Sequence, residues 1–193
     1  MSKVDETIEN IMEATVRVAF RKGFANTRTS DIAKEAGVSE GLIFKYFPTK
    51  SHLFATIIKD NFQRIKKGVD LIIGEHSLSA LAKIEALIDF HFDFFTNQRN
   101  IAYLILGHSD RKIIGNVEPI LEYGIKPYTQ LIAEILKNGI DTGEFRHFDP
   151  ETVAIALVGT MQITLIVKIL SGKGVEEATK KEVKEYILAG IRK

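Results

Sequence analysis

Five histidines, His52, His76, His91, His108 and His147, are the first residues in this 193-residue chain to weigh as metal ligands or bases. Their spacing serves neither role. No HExxH pair puts two imidazoles on one helical turn, and in His91-x-Asp93 the side chains would leave a helix on different sides. His108-Ser109-Asp110 has the residue types of a nucleophilic triad, but sequence neighbours cannot adopt triad geometry. Gly172-Lys173-Gly174 lacks the strand and spacing of a phosphate loop and reads as a linker. There is no cysteine, which excludes disulfides, thiolate metal sites and cysteine nucleophiles and is compatible with a reducing cytosol. No metal, no cofactor and no catalysis are expected.

Chemistry of another kind gathers between residues 27 and 50. Hydroxyls at Thr27, Thr29 and Ser39, the polar face of Lys45 and Tyr46, and Lys50 just beyond are the groups that hold phosphates. From Arg17 to Lys50 there are seven basic residues (Arg17, Arg21, Lys22, Arg28, Lys34, Lys45, Lys50) and three acidic ones (Asp31, Glu35, Glu40), a segment of +4. From Gly68 onward 14 basic residues face 17 acidic ones, and the whole chain carries only +1. A basic head on an acidic body suits a protein that touches a polyanion at one end. Chance clustering of charge is the alternative, and charge alone does not separate the two.

The elements that must position these groups read as helices almost throughout. A first helix is expected from about Asp5 to Lys22, with Ile8, Ile11, Thr15 and Val18 on one face and Met12 and Ala19 beside them; Gly23 stops it. A short helix follows from about Ser30 to Ala36, capped by Thr29 or Ser30 and ended by Gly37. Ser39 caps another short helix, Glu40 to Phe47, which Pro48 cannot continue. Thr49 then opens a fourth helix whose stripe is Leu53, Phe54, Ile57, Ile58, Phe62 and Ile65, fraying before Gly74. Further helices are expected at about Ser79 to Asn97, Ile101 to Gly107, and Val117 to Asn138, the last kinked by Pro127. Asp149-Pro150-Glu151 is a strong helix start, and that helix runs to about Leu170. A final helix opens on Thr179-Lys180-Lys181-Glu182, a capping-box pattern, with Val183, Ile187 and Ile191 on its apolar side. The fold class is all-α, with about nine helices: a three-helix head at residues 1–48 and a helical body at 49–193.

Within the head, Thr29 to Lys50 describes a helix-turn-helix. Ile32, Ala33, Ala36, Val38, Ile43 and Phe47 supply a small core with the first helix, and the two alanines let the helices cross closely. Gly37 supplies the bend. A plain helical hairpin would meet the same apolar demands, but it would leave the polar face unexplained. The run GF-x4-T-x4-IAKEAGVSEG-x2-FKYFPTK, preceded by Ile11-Met12-Glu13-Ala14, resembles the TetR-family DNA-binding signature over about residues 8 to 54. Beyond it the chain resembles the family only in its pattern of helices and in the turn from Gly139 to Arg146. The resemblance implies a homodimer on a palindromic double-stranded DNA operator, and repression relieved by a small-molecule effector. Carried over by position, it implies phosphate contacts from Arg28, Thr29, Ser39, Tyr46 and Lys50, while Glu40, Gly41, Leu42 and Lys45 face base edges. Lys45 can donate to guanine O6 and N7, and Leu42 can cover a thymine methyl.

Three features depart from the family pattern. Ala19-Phe20 reverses the usual aromatic-then-small order. Phe44 stands in the DNA-facing helix where tyrosine is frequent, which removes one hydroxyl. Glu40 is acidic near a polyanion, where it either accepts from cytosine N4 or caps the recognition helix, and capping is the preferred role.

In the body, Phe90, His91, Phe92, Phe94 and Phe95 are too dense to form one stripe. They read equally as a thick core and as a largely apolar effector cavity that also draws on Tyr103, Leu104, Tyr123, Tyr128, Met161 and Thr164. The stretch from Val153 to Val167 is apolar nearly all round. It falls short of a membrane span and reads as a helix buried on every side, with a partner subunit at Ala156, Gly159, Ile163, Val167, Val183, Ile187 and Ile191. The N-terminus has no apolar core of a signal peptide, so a cytoplasmic protein is expected, with no membrane partner. Two rival functions remain in view: a helical ligand-binding protein that does not touch DNA, and a helical enzyme using the aromatic cavity. The second is opposed by the lack of paired carboxylates or a base–nucleophile pair.

Overall fold

A computed structural model describes residues 3–23, 25–98, 124–172 and 174–193. Eight helices occur among them: α1 (Lys3–Lys22), α2 (Thr29–Ala36), α3 (Glu40–Tyr46), α4 (Lys50–Gly74), α5 (Ala80–Asn97), α6 (Lys126–Asp141), α7 (Pro150–Leu170) and α8 (Glu177–Ile191). The helix expected at 101–107 and the first part of the one expected from 117 lie outside the described residues. The only strand-like pairing among the described residues is an isolated bridge between Phe145 and Arg192.

The chain divides into two compact units, Met1–Asn61 with Asn100–Val117, and Phe62–Arg99 with Glu118–Lys193. The first unit extends beyond the boundary expected at residue 48. The reason is packing: Leu53 and Ile57 of α4 join Ile11, Ala14, Ile32, Ala33, Ile43 and Phe47 in the core of the head. Burying each such side chain removes about 1.5–3 kcal/mol worth of apolar surface from water, so the start of α4 belongs to the head.

Three boundaries differ from the sequence expectation. α2 starts with Arg28 in the N-cap position, in extended backbone and without a side-chain cap bond; neither Thr29 nor Ser30 caps it. Pro127 sits in the first turn of α6 instead of kinking a longer helix, a place where its missing N–H costs no hydrogen bond. α8 begins at Glu177, ahead of the expected Thr179 box, and Thr179 is buried in its first turn.

In the second unit one turn ties three helices together. Gly139 lies against the Phe145 ring so closely that a Cβ there would stand 2.1 Å from the ring. The Glu144 carboxylate accepts from the Ala80 and Leu81 N–H groups at 3.2 and 3.1 Å, sharing the α5 N-terminus with the Ser79 cap. Arg146 donates from Nε to the Gly190 carbonyl at 2.7 Å, joining the turn to the end of α8. Ion pairs Lys180–Asp93, Lys184–Asp89 and Arg192–Glu85 then fasten α8 along α5.

Candidate functional site

The first unit is built to present α3. Its turn is a Schellman closure: Gly37 is left-handed (φ 67°), and the Val38 N–H reaches back to the Ala33 carbonyl at 3.0 Å. Asn10 donates to the Ala36 carbonyl at 2.8 Å, so α1 satisfies another carbonyl at the end of α2. Glu35 receives Arg17 at 3.0 Å and also Arg21. The Arg21 and Arg17 hydrogen bonds hold its carboxyl below the usual range. Lys22 pairs with Asp31 at 2.8 Å. These contacts fix α2 on α1, and α2 in turn fixes α3. They also consume Arg17, Arg21 and Lys22 from the basic count, whereas Arg28, Lys34 and Lys45 enter no ion pair among the described residues.

α3 is capped by Ser39, whose Oγ accepts from the Leu42 N–H at 3.2 Å, a contact worth about 1 kcal/mol. Ile43 holds the inner side, wholly buried, while Gly41, Phe44 and Lys45 are exposed and Leu42 and Tyr46 half-buried. Nothing inside the protein requires glycine at 41, since an added Cβ would meet only Ser39 Oγ at 3.9 Å. A bare helical surface there is useful to something approaching from outside. The Lys45 ammonium rests over the Tyr46 ring, 5.7 Å from its centroid. Arg28 is exposed, at the N-cap position immediately ahead of α2.

Two sequence assignments change here. Thr27 is 2% exposed and its hydroxyl donates to the Gly23 carbonyl, so it is a structural group instead of a phosphate ligand. Glu40 does not cap α3, since Ser39 does; its carboxylate accepts the Thr29 hydroxyl at 2.8 Å. Lys50, half-buried, donates from Nζ to the Thr27 carbonyl at 2.7 Å, and burial lowers its pKa. The reversed Ala19-Phe20 order puts the small residue inside, wholly buried, and the ring outside. Asn10, Arg17 and Glu35 were missed as positioning residues, because polar groups on a surface helix carry no sequence mark of their partners.

In the second unit α5, α6 and α7 pack on one another around the aromatic cluster. His91 is buried, stacks nearly parallel on Tyr128 at 5.8 Å, and meets the edge of Phe95 at 4.9 Å. Phe94 bridges Phe95 and Phe90. Burial pushes the His91 imidazole down to about 3 and raises the Tyr128 phenol, so both are neutral at physiological pH. Met161 is buried on α7, and the Thr164 hydroxyl is spent on the Thr160 carbonyl. Phe90 packs on Gly68. Tyr103, Leu104 and Tyr123 lie outside the described residues. Gln162, absent from the sequence expectation, has a buried carbonyl oxygen in this unit.

α7 is not buried all round. Ala154, Leu157, Val158, Met161 and Leu165 face the core, while Ile155, Ile163 and Val167 are 63%, 60% and 58% exposed. The helix has its expected extent, but its apolar stretch was expected to fall short of a membrane span, whereas Pro150–Ile169 is long and apolar enough to cross one by length and composition alone. Of the residues expected at a subunit interface, Ala156, Ile163 and Val167 are exposed and Gly159 and Val183 half-exposed. Ile187 and Ile191 are corrected: at 3% and 2% exposure they belong to the protomer's own core. Tyr186, 74% exposed on α8, joins the outer surface instead.

Two family models match in succession. The one described as bacterial regulatory proteins of the tetR family covers residues 11–57, and the one described as the C-terminal region of YsiA-like protein covers residues 58–190. The fatty acid metabolism regulator protein of Bacillus subtilis (strain 168) is 26% identical over 186 residues, covering 94% of this chain and 93% of that protein. Among solved structures, the fatty acid degradation regulator FadR from Bacillus halodurans superposes with a TM-score of 0.81 at 24% identity, covering 95% of each chain. The transcriptional regulator FadR from Bacillus subtilis, solved in complex with stearoyl-CoA, gives 0.79 at 26% identity over 95% of this chain and 99% of that one.

Proposed function

Because the chain belongs to the TetR family of transcriptional regulators, we propose that it is a cytoplasmic homodimeric repressor that leaves a palindromic operator when a long-chain acyl thioester binds its second unit. It is a DNA-binding regulator whose hold on DNA answers to a ligand. The observation that carries the DNA-binding half is α3 itself: a capped helix, rigidly backed by α1 and α2, whose outer surface offers Gly41, Phe44 and Lys45 to solvent. A short helix presented in this way fits the major groove. Arg28, Ser39, Tyr46 and Lys50 are assigned to phosphates and Gly41, Leu42 and Lys45 to base edges, while the one hydroxyl hydrogen of Thr29 is given to Glu40.

The effector class is drawn from the B. subtilis relative that holds stearoyl-CoA and from the chemistry of the second unit, where Phe92, Phe95, Met161 and Leu165 are all buried. The homodimer is drawn from α7. Three aliphatic side chains more than half exposed on one helix are costly in water. Gly159 lies among them, and an added Cβ there would meet nothing within 4 Å. A glycine inside a helix costs about 1 kcal/mol relative to alanine, and close approach of a second copy is the use that offsets it.

The test is footprinting of the purified protein on genomic fragments, without and with stearoyl-CoA. One or more palindromic sites are expected, protected in the first condition and opened in the second. Uniform, sequence-independent protection would reject specific recognition, and sites indifferent to the thioester would reject the effector.

A further inference from the structure

Among the described residues of the second unit, three buried polar atoms have no hydrogen-bond partner: His91 Nε2, Tyr128 Oη and Gln162 Oε1. They come from α5, α6 and α7, the three helices that pack on one another. Two of them belong to the stacked His91–Tyr128 pair. An orphaned polar atom in an apolar interior is costly, and native proteins rarely tolerate several together. Such a debt is kept where a ligand settles it.

The chemistry of the orphans restricts that ligand. Tyr128 is held in its neutral form by burial, so it has a hydrogen to donate and asks for an acceptor. Gln162 Oε1 can only accept and asks for a donor. His91 is neutral, and its Nε2 can serve either way according to tautomer. Among the described residues of this unit the buried polar ones are His91 and Thr179, with no charged side chain among them. Asp89 and Asp93, on the same helix as His91, are turned outward to Lys184 and Lys180. Among the described residues a charged group would therefore find no buried counter-ion, whereas a group that both accepts and donates while staying neutral would satisfy Tyr128 and Gln162 together.

We propose that the effector site among α5, α6 and α7 recognises a hydroxyl group carried on an otherwise apolar chain, with Tyr128 donating to it and Gln162 or His91 accepting from it. The inference rests on the reading of this unit as the site for an acyl effector, and it specifies the chain beyond that reading. Plain and hydroxylated chains of one length would be told apart by these three side chains. The apolar walls, Phe95 and Met161 included, would hold both chains equally.

Two measurements on the full-length protein decide it. The first needs no ligand. Tyr128→Phe removes only the orphaned hydroxyl, so its melting temperature should equal or exceed that of the wild type. A clear fall would mean that the hydroxyl has a partner within the protein, and the proposal would be lost. The second is calorimetric titration with stearoyl-CoA and with a set of hydroxystearoyl-CoA positional isomers. At least one isomer should bind about tenfold more tightly than stearoyl-CoA, a single well-made hydrogen bond's worth. In Tyr128→Phe and in Gln162→Leu the ratio of hydroxystearoyl-CoA to stearoyl-CoA affinity, measured within each variant, should fall to about one. If stearoyl-CoA binds and no isomer is preferred, the hydroxyl inference falls and the acyl effector stands. If neither kind of thioester binds, both fall.

Discussion

The Thr29 hydroxyl donates to the Glu40 carboxylate at 2.8 Å, tying the first residue of α2 to the first residue of α3. The bond spans the whole turn of the helix-turn-helix. It gives an acidic side chain beside a DNA-facing helix a role inside the protein, and it leaves the cap of α3 to Ser39.

If Glu40 acts as this latch, Glu40→Gln should keep the bond, since an amide oxygen can accept from Thr29 as well. It would also remove a negative charge close to DNA phosphates. Operator affinity should rise several-fold with an unchanged base preference, measured by selection from a randomised half-site library. A shift confined to one base pair would instead mean that the carboxylate reads a cytosine amino group.

Lys45 and Lys50 should fail differently. Lys45 is exposed on α3 and takes part in no ion pair among the described residues, so Lys45→Ala should relax preference at one operator position by about 1–3 kcal/mol. Lys50 is bound to the Thr27 carbonyl. Lys50→Ala should lower the salt slope of DNA binding by about one unit at every sequence and also destabilise the head by about 1–3 kcal/mol. Loss of affinity by both variants with an unaltered preference would remove Lys45 from the base contacts.

The head was legible in the sequence because its demands are local. Ile32, Ala36 and Ile43 repeat at helical spacing, Gly37 must turn left-handed, and Ser39 must cap; each requirement falls within a few residues of the next. What stayed hidden depends on pairs far apart in the chain. Asn10 to Ala36, Arg21 to Glu35, Glu144 to Ala80 and Lys184 to Asp89 are joined only by folding, and a charged residue in a sequence does not name its partner. The same holds for α7. Its composition shows that it is apolar throughout but does not tell which side its own protomer covers. For that reason Ile187 and Ile191 were placed at an interface although the protomer's own core buries them.

Ile163, 60% exposed on α7, separates interface from core. Ile163→Asp costs the monomer little, because a charge at that position stays in water. Within a dimer interface the same charge would be buried unpaired, at a cost of several kcal/mol. Light scattering should therefore report monomers while circular dichroism reports an intact helical fold. A dimer as tight as the wild type would take this face out of the interface.

His91 makes stability depend on pH in a definite direction. Its folded pKa is about 3, below the unfolded value near 6.5, so the unfolded chain binds the proton more readily. The contribution of neutral His91 is complete above about pH 6.5 and is lost as pH falls towards 3, at up to about 1.4 kcal/mol per pH unit. Urea denaturation between pH 7 and 5 should show this slope in the wild type and a flatter one in His91→Leu. Parallel slopes would mean that the imidazole is already charged, or already hydrated, in the folded protein.

α4 is the described helix whose residues fall in both units, Lys50 to Asn61 in the first and Phe62 to Gly74 in the second. An effector that biases the second unit therefore acts on an element the head shares. In a dimer the two α3 helices must meet half-sites whose separation DNA fixes at about 34 Å per helical turn, so a few ångströms of misfit forfeit one of the two heads. Thermodynamic linkage then makes the effect mutual. If stearoyl-CoA weakens operator binding by about 100-fold, operator must weaken stearoyl-CoA binding by the same factor, a coupling of about 2.7 kcal/mol. Calorimetric titration of stearoyl-CoA into the free protein and into its saturated operator complex measures that factor directly. Two equal affinities would leave the thioester as a bound lipid without regulatory effect, however tightly it is held.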